Sequence, residues 1–232
     1  MNERQKNLLK TIVSNYIKTA EPVSSKSIAE SGLFDLSPAT IRNEMVELED
    51  QGYIYHPHTS AGRVPSEKGY QFYIQNFLGE PKLSKKEQEM LDLTSKKFDE
   101  FQPSLVKEMA KSIVEFSDNA VFIAFSDRDF YYTGLSNLFS QPEFTQHQLV
   151  YHLTKVVEHL DQVIEKIFQS CDDEVKIMIG RDNPFAKDCS SVMTRYQNEQ
   201  GNGVIGILGP LRMDYQNNLS LVKYTQKLIN NF

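Results

Sequence analysis

The chain has 232 residues, which at roughly 150 residues per domain suits one or two domains. Hydrophobic residues make up 40% and charged residues 24%, so the chain can bury a core and is not a disordered tail. Lys and Arg total 25 against 31 Asp and Glu, and the net charge of −6 argues against a nucleic-acid protein, which usually carries a basic surplus.

Residues 1–78 read as a compact helical unit. Leu8, Leu9, Ile12, Val13, Tyr16 and Ile17 recur at helical spacing, and Pro22 stops that helix. Ser24 or Ser25 caps a short second helix holding Ile28 and Ala29, with Gly32 just past its end. Ser37 followed by Pro38 is a strong start for a third helix. Ile41, Met45 and Leu48 turn one face of it inward, and Gly52 ends it. YIYHPH, the turn TSAG and RVP then form a hairpin-like wing. Ser66 begins a fourth helix, with Tyr70, Tyr73, Ile74 and Phe77 on one stripe.

Residues 79–83 read as a linker, and Ser84 to Ser117 as polar helix interrupted at Pro103, so 79–118 is expected to be a helical linker region. From 119 to 232 strands alternate with helices. NAVFIAF, FYYTGL, VKIMIG, SSVMTRY and NGVIGIL are strands; a long helix is expected from about Thr145 to Phe168 and a last one from about Asp214 to Asn231. The overall class is α+β, a helical unit followed by a mixed domain.

Three helices and a wing make the winged helix-turn-helix plan, in which the third helix enters the major groove. The face opposite Ile41, Met45 and Leu48 shows Ala39, Thr40, Arg42 and Asn43 at its start. Arg can pair with guanine and Asn with adenine, while Ala or the Thr methyl can touch a thymine methyl. Ser24, Ser25, Lys26 and Ser37 are candidates for backbone phosphates. His56, His58, Thr59, Ser60, Gly62 and Arg63 make up the wing, where Gly62 would let the turn approach DNA closely. SPATIRN and HPHTSAGRVPS contain no acid; Glu44, Glu47, Glu49 and Asp50 come later, where the helix would leave the groove. Residues 1–78 hold 8 basic and 9 acidic residues, so the acidity belongs mainly to the rest of the chain.

The runs PVSSKSIAE, LSPATIRNEMVELEDQGYI and HPHTSAGRVPSEKGYQFYI resemble the N-terminal domain of the heat-inducible transcription repressor family HrcA. The likeness continues through GLSNLFSQPEF and GILGPLRMDYQNNLSLVKY. The resemblance implies a repressor of chaperone operons that binds an inverted-repeat operator as a homodimer and depends on the GroEL chaperonin; the two scattered cysteines make a reduced cytoplasm the default location. It also implies a GAF-like second domain over 119–232; no cofactor is expected. A GAF-like domain raises the alternative of a small-molecule sensor, although fold alone does not license it.

Members of that family usually carry an inserted dimerising domain before the strand leading to GLSNL. Here NAVFIAFSD runs almost directly into RDFYYTGLSNL, leaving a turn of hairpin length at Ser126 to Asp129. Two stretches are candidates for the missing dimer contact. One is the helix from Thr145, where Leu149, Leu153, Val156, Leu160, Val163 and Ile167 step by four and three. Val150, Val157 and Ile164 widen that stripe, as in a helix packed on its own sheet. The other, slightly favoured, is the face Leu105, Met109, Ile113 and Phe116.

Other signals are weaker. His56 and His58 have no companion ligands for a metal, and His147, His152 and His159 are not i, i+4 partners. Ser136 lacks the second glycine of a nucleophile elbow. Gly201, Gly203, Gly206 and Gly209 lack the lysine of a phosphate loop. Asp214 is expected as a helix cap and Arg212 as the partner of a carboxylate. Cys171 and Cys189 form neither a disulfide framework nor a zinc set. No apolar run reaches the roughly 18 residues of a membrane span, and the opening MNERQKNLLK does not read as a signal peptide. Neither catalysis nor membrane binding is expected.

Overall fold

Helix α1, Glu3–Thr19, starts on a capping box. Asn2 Oδ1 accepts from the Gln5 backbone at 2.8 Å, and Gln5 Oε1 accepts from the Asn2 backbone at 3.0 Å. Ala20 closes the helix in a left-handed conformation two residues before Pro22. Ser24 caps α2, Ser25–Glu30; Ser37 caps α3, Pro38–Asp50; and Ser66 caps α4, Glu67–Phe77. Each such hydroxyl contributes about 1 kcal/mol. Strands β1, Ile54–Tyr55, and β2, Val64–Pro65, pair antiparallel and form the wing. Leu9, Ile12, Ile28, Ile41, Leu48 and Tyr70 are buried together as the core of this unit. The winged helix-turn-helix plan read from the periodicity is the observed one.

The computed structural model describes residues 1–59, 61–145 and 160–232. They divide into two units, Met1–Leu78 and Gly79–Phe232. In the second, α5, Lys85–Ser95, and α6, Pro103–Ser117, are followed by β3, Ala120–Ala124, β4, Phe130–Thr133, and α7, Leu135–Ser140. Then come α8, Leu160–Ser170, β5, Lys176–Ile179, β6, Cys189–Asn198, β7, Gly201–Pro210, and α9, Tyr215–Asn230. The strands form one antiparallel sheet in the order β4-β3-β7-β6-β5.

Both faces of the sheet are covered, which explains why β3 and β7 are apolar almost throughout. Ala120, Phe122, Met193, Val204 and Leu208 point toward α7 and α8, where Leu138, Ile164 and Ile167 meet them. The alternate residues Val121, Ile123, Val192, Ile205 and Ile207 are equally buried beneath α6 and α9. Phe122 stands directly across from Gly206, and a β-carbon there would enter the Phe122 ring. Asp214 caps α9 by accepting from the Asn217 backbone at 3.0 Å. Arg212 Nε donates to Glu143 at 2.6 Å, and Arg212 Nη2 donates to Gln141 at 2.8 Å.

The structure changes several expectations. The stretch 79–118 is not a passive connection, because α5 and α6 pack on each other, on α9 and on β3. Leu105, Met109 and Ile113 are fully buried in this packing, so the face favoured as a dimer element is already covered within the chain. Leu160, Ile164 and Ile167 likewise face their own sheet. Leu149, Val150, Leu153, Val156 and Val157, with His147, His152 and His159, lie outside the described residues. β3 and β4 form a direct hairpin, where the Phe125 N–H donates to Asp129 O at 2.8 Å and Ser126 Oγ accepts from the Asp129 backbone at 3.0 Å.

Candidate nucleic-acid interface

Burial of Ile41, Met45 and Leu48 fixes the rotation of α3, which leaves Ala39, Arg42 and Asn43 exposed on the other side. Thr40 is half-buried, and its Oγ1 lies 3.0 Å from Ser37 Oγ. Val46, passed over in the sequence, extends the exposed row at the same helical spacing. Its signal was the interval of three and four residues from Asn43 and Arg42.

Three of the four acids of α3 are drawn away from this row, and the fourth, Asp50, is the last residue of the helix. Glu44 is buried and ion-paired with Arg4. Glu47 accepts from Gln5 Nε2 at 2.5 Å. Glu49 accepts from Arg63 Nη2 at 2.7 Å and from the His56 backbone and Nδ1 at 3.1 Å each. His56 Nε2 meets the Arg63 guanidinium on its other side, so the imidazole bridges the acid and the base. The exposed N-terminal half of α3 is therefore left with one cation, Arg42, and no carboxylate.

Two wing residues sit differently from expectation. The Arg63 side chain is only 9% exposed because it is folded back onto Glu49, so it does not project from the wing. A β-carbon on Gly62 would strike the Val23 carbonyl, and the Val23 and Arg63 backbones exchange two 2.8 Å hydrogen bonds. Gly62 thus serves an internal contact that brings the wing against the chain leading into α2. His56, His58 and Thr59 are exposed, and Ser60 lies outside the described residues.

Among the phosphate candidates, Ser25 is buried, and Ser24 and Ser37 are occupied as helix caps. Lys26 is 78% exposed and holds Glu30 only loosely, at 3.8 Å. Lys68 is engaged within the unit, donating to Gln51 O at 2.7 Å and lying over the Tyr53 ring. A cleft of about 440 Å³ brings together Ser24, Arg42, Val46, His56 and Thr59 from α2, α3 and the wing. Ala39, Thr40 and Asn43 lie nearer the start of α3 and do not line it.

Residues 1–76 match the family described as the winged helix-turn-helix transcription repressor, HrcA DNA-binding, and residues 69–218 match the HrcA protein C-terminal domain. The chain belongs to the HrcA family. The heat-inducible transcription repressor HrcA of Natranaerobius thermophilus is 30% identical over 324 aligned positions, covering 96% of this chain and 94% of that protein. The HrcA of Clostridioides difficile is 28% identical over 335 positions, covering 99% of each. These alignments are longer than the 232 residues present here, so both relatives carry residues that this HrcA-family chain lacks. A crystal structure of a hypothetical protein shares the fold, with a TM-score of 0.79 and 19% identity over 100% of this chain and 98% of that one. The family expected from HTSAGRVPSEKGY and its neighbouring motifs, and the α+β class expected from the pattern of strands and helices, are therefore the observed ones.

Proposed function

We propose that this protein represses transcription by reading an inverted-repeat operator with α3 of its winged helix. The observation that supports this most is the row Ala39, Arg42, Asn43 and Val46, exposed and free of acid because Glu44, Glu47 and Glu49 are held elsewhere. Arg42 and Asn43 have donors suited to purine edges; Ala39, Thr40 and Val46 offer apolar contact for thymine methyls. Lys26 and the wing residues His58 and Thr59 would set the register on the phosphates.

An inverted repeat read by identical modules calls for a two-fold dimer. The further assignments are a cytoplasmic homodimer acting on chaperone operons and a dependence on GroEL; the names of the relatives speak only of heat-inducible repression. Heat would act through loss of a marginally stable active form. The test is binding to an inverted repeat and to its single half-site at fixed salt, with and without GroEL. A large preference for the repeat, raised further by GroEL, supports the reading; equal affinity for repeat and half-site overturns the paired mode.

The apolar cavity under the sheet of the second domain lends little support to the alternative of a ligand sensor there. Among the described residues, the cavity between its sheet and α7, lined by Phe122, Leu138 and Phe185 with Tyr132 as its one side chain bearing a polar group, holds only about 20 Å³.

A further inference from the structure

An open groove of about 920 Å³ lies along α9 in the second unit. Its walls are the stretch 80–83, the start of α5 and the C-terminal half of α9. They are fixed in place: the Gly79 N–H donates to Gln216 Oε1 at 2.7 Å, and the Lys82 N–H donates to Ser220 Oγ at 2.9 Å. The Tyr224 hydroxyl on the groove wall donates to Asp92 at 2.7 Å, which holds the ring. Lys82, Lys85, Lys223 and Lys227 line the groove against one carboxylate, Glu80.

Among the described residues, none of these four ammonium groups enters an ion pair. Yet residues 79–232 hold 22 acids against 17 bases, so carboxylate partners are plentiful in this domain. Lys223 and Lys227 stand at i, i+4, where like charges oppose helix formation. Lys85 occupies the first turn of α5, the positive end of the helix dipole, where a cation is disfavoured. Lys227, in the last turn of α9, is favoured by the helix dipole, but its repulsion with Lys223 and the placement of Lys85 are unfavourable, and a bound polyanion would relieve both. Lysines act as compact point charges rather than fixed forks, which suits phosphates presented in more than one geometry. Pro81, Leu83 and the Tyr224 ring add apolar surface beside the charges.

We propose that this groove binds a small polyphosphorylated molecule, its phosphates held by Lys82, Lys85, Lys223 and Lys227 and its organic part resting on Tyr224. The volume falls within the range of small-molecule sites and far exceeds what a lone phosphate fills. The inference is independent of the operator reading, since none of these residues belongs to the winged helix. Nucleic-acid backbone offers the same phosphates, so the test must separate the two sources.

The experiment is calorimetric titration of the full chain with ATP at low salt, comparing wild type with the double variants K223Q/K227Q and K82Q/K85Q. Thermal melting checks that both variants remain folded. Saturable binding that tripolyphosphate competes away, and that either double variant weakens at least about tenfold, supports the proposal. No saturable binding at millimolar ATP overturns it, as does equal binding by folded variants. If both variants instead lose affinity for a duplex of random sequence while ATP does not bind, the lysines contact DNA backbone and the proposal fails. Operator binding measured at the same salt reports separately on the winged helix.

Discussion

Arg63 reaches Glu49 at 2.7 Å, tying the base of the wing to the last turn of α3. The pair places the wing relative to α3, and His56 between them closes the arrangement. Glu49→Ala leaves a nearly buried guanidinium without its carboxylate. The expected cost is about 1–3 kcal/mol, with weaker operator binding because the wing is no longer anchored. Thermal melting and a binding titration check this; an unchanged Tm would mean that the pair does not hold the wing.

Arg42→Ala or Asn43→Ala should cost about 1–3 kcal/mol of operator affinity and relax base preference at the position each reads. A titration against operators randomised one base pair at a time measures both effects. Arg42→Ala binding the operator like wild type would falsify the orientation of α3.

Lys26→Ala should act differently. It removes a cation that makes only a long contact with Glu30, so the fold should be unaffected. Affinity should fall for operator and random DNA alike, and the salt slope should drop by about 1. A loss confined to the operator would place Lys26 at a base rather than a phosphate.

Gly206→Ala puts a methyl group into the Phe122 ring and against Met193 across the sheet. Overpacking of this kind costs about 1–3 kcal/mol. Urea unfolding followed on the second unit should show the loss, with the winged helix unaffected. A melt identical to wild type would mean that the sheet can spread at this position.

Alkaline pH should destabilise the second unit. Burial pushes the Cys171 thiol up to about 11 and Cys189 up to about 12. An exposed thiol ionises near about 8.5, so as pH rises the unfolded chain loses these protons before the folded one does. The stabilisation is complete below that value and is lost progressively as pH climbs through the folded values. Burial moves Tyr196 and Tyr215 in the same direction. Tm should therefore decline steadily above about pH 9, and both thiols should resist alkylation until the protein unfolds. Rapid alkylation in the folded state would contradict this.

Local rules carried much of the sequence reading. Ser24, Ser37, Ser66 and Asp214 each cap the helix expected of them, because a cap depends on three or four consecutive residues. The rotation of α3 was legible for the same reason. Partners distant in sequence were harder to foresee. Arg63 looked like a free wing cation because Glu49 lies fourteen residues earlier, beyond any helical or turn pattern. Gly62 looked like a concession to DNA, although its constraint is the Val23 carbonyl nearly forty residues earlier. Leu105, Met109 and Ile113 offered an apolar stripe without showing whether it meets a second chain or its own sheet.

The β3–β4 turn gives the length of this chain a thermodynamic meaning. Val121 to Ala124 pair with Thr133 to Phe130 whatever joins them, because register is set by the ladder and by the core on both faces. Lengthening a closed loop costs only about 0.6 kcal/mol per doubling. A whole folded module can therefore enter or leave at this point without disturbing the sheet, much as a hinge pin can be fitted with a longer barrel while the door stays hung. The short form keeps both doors and their frames.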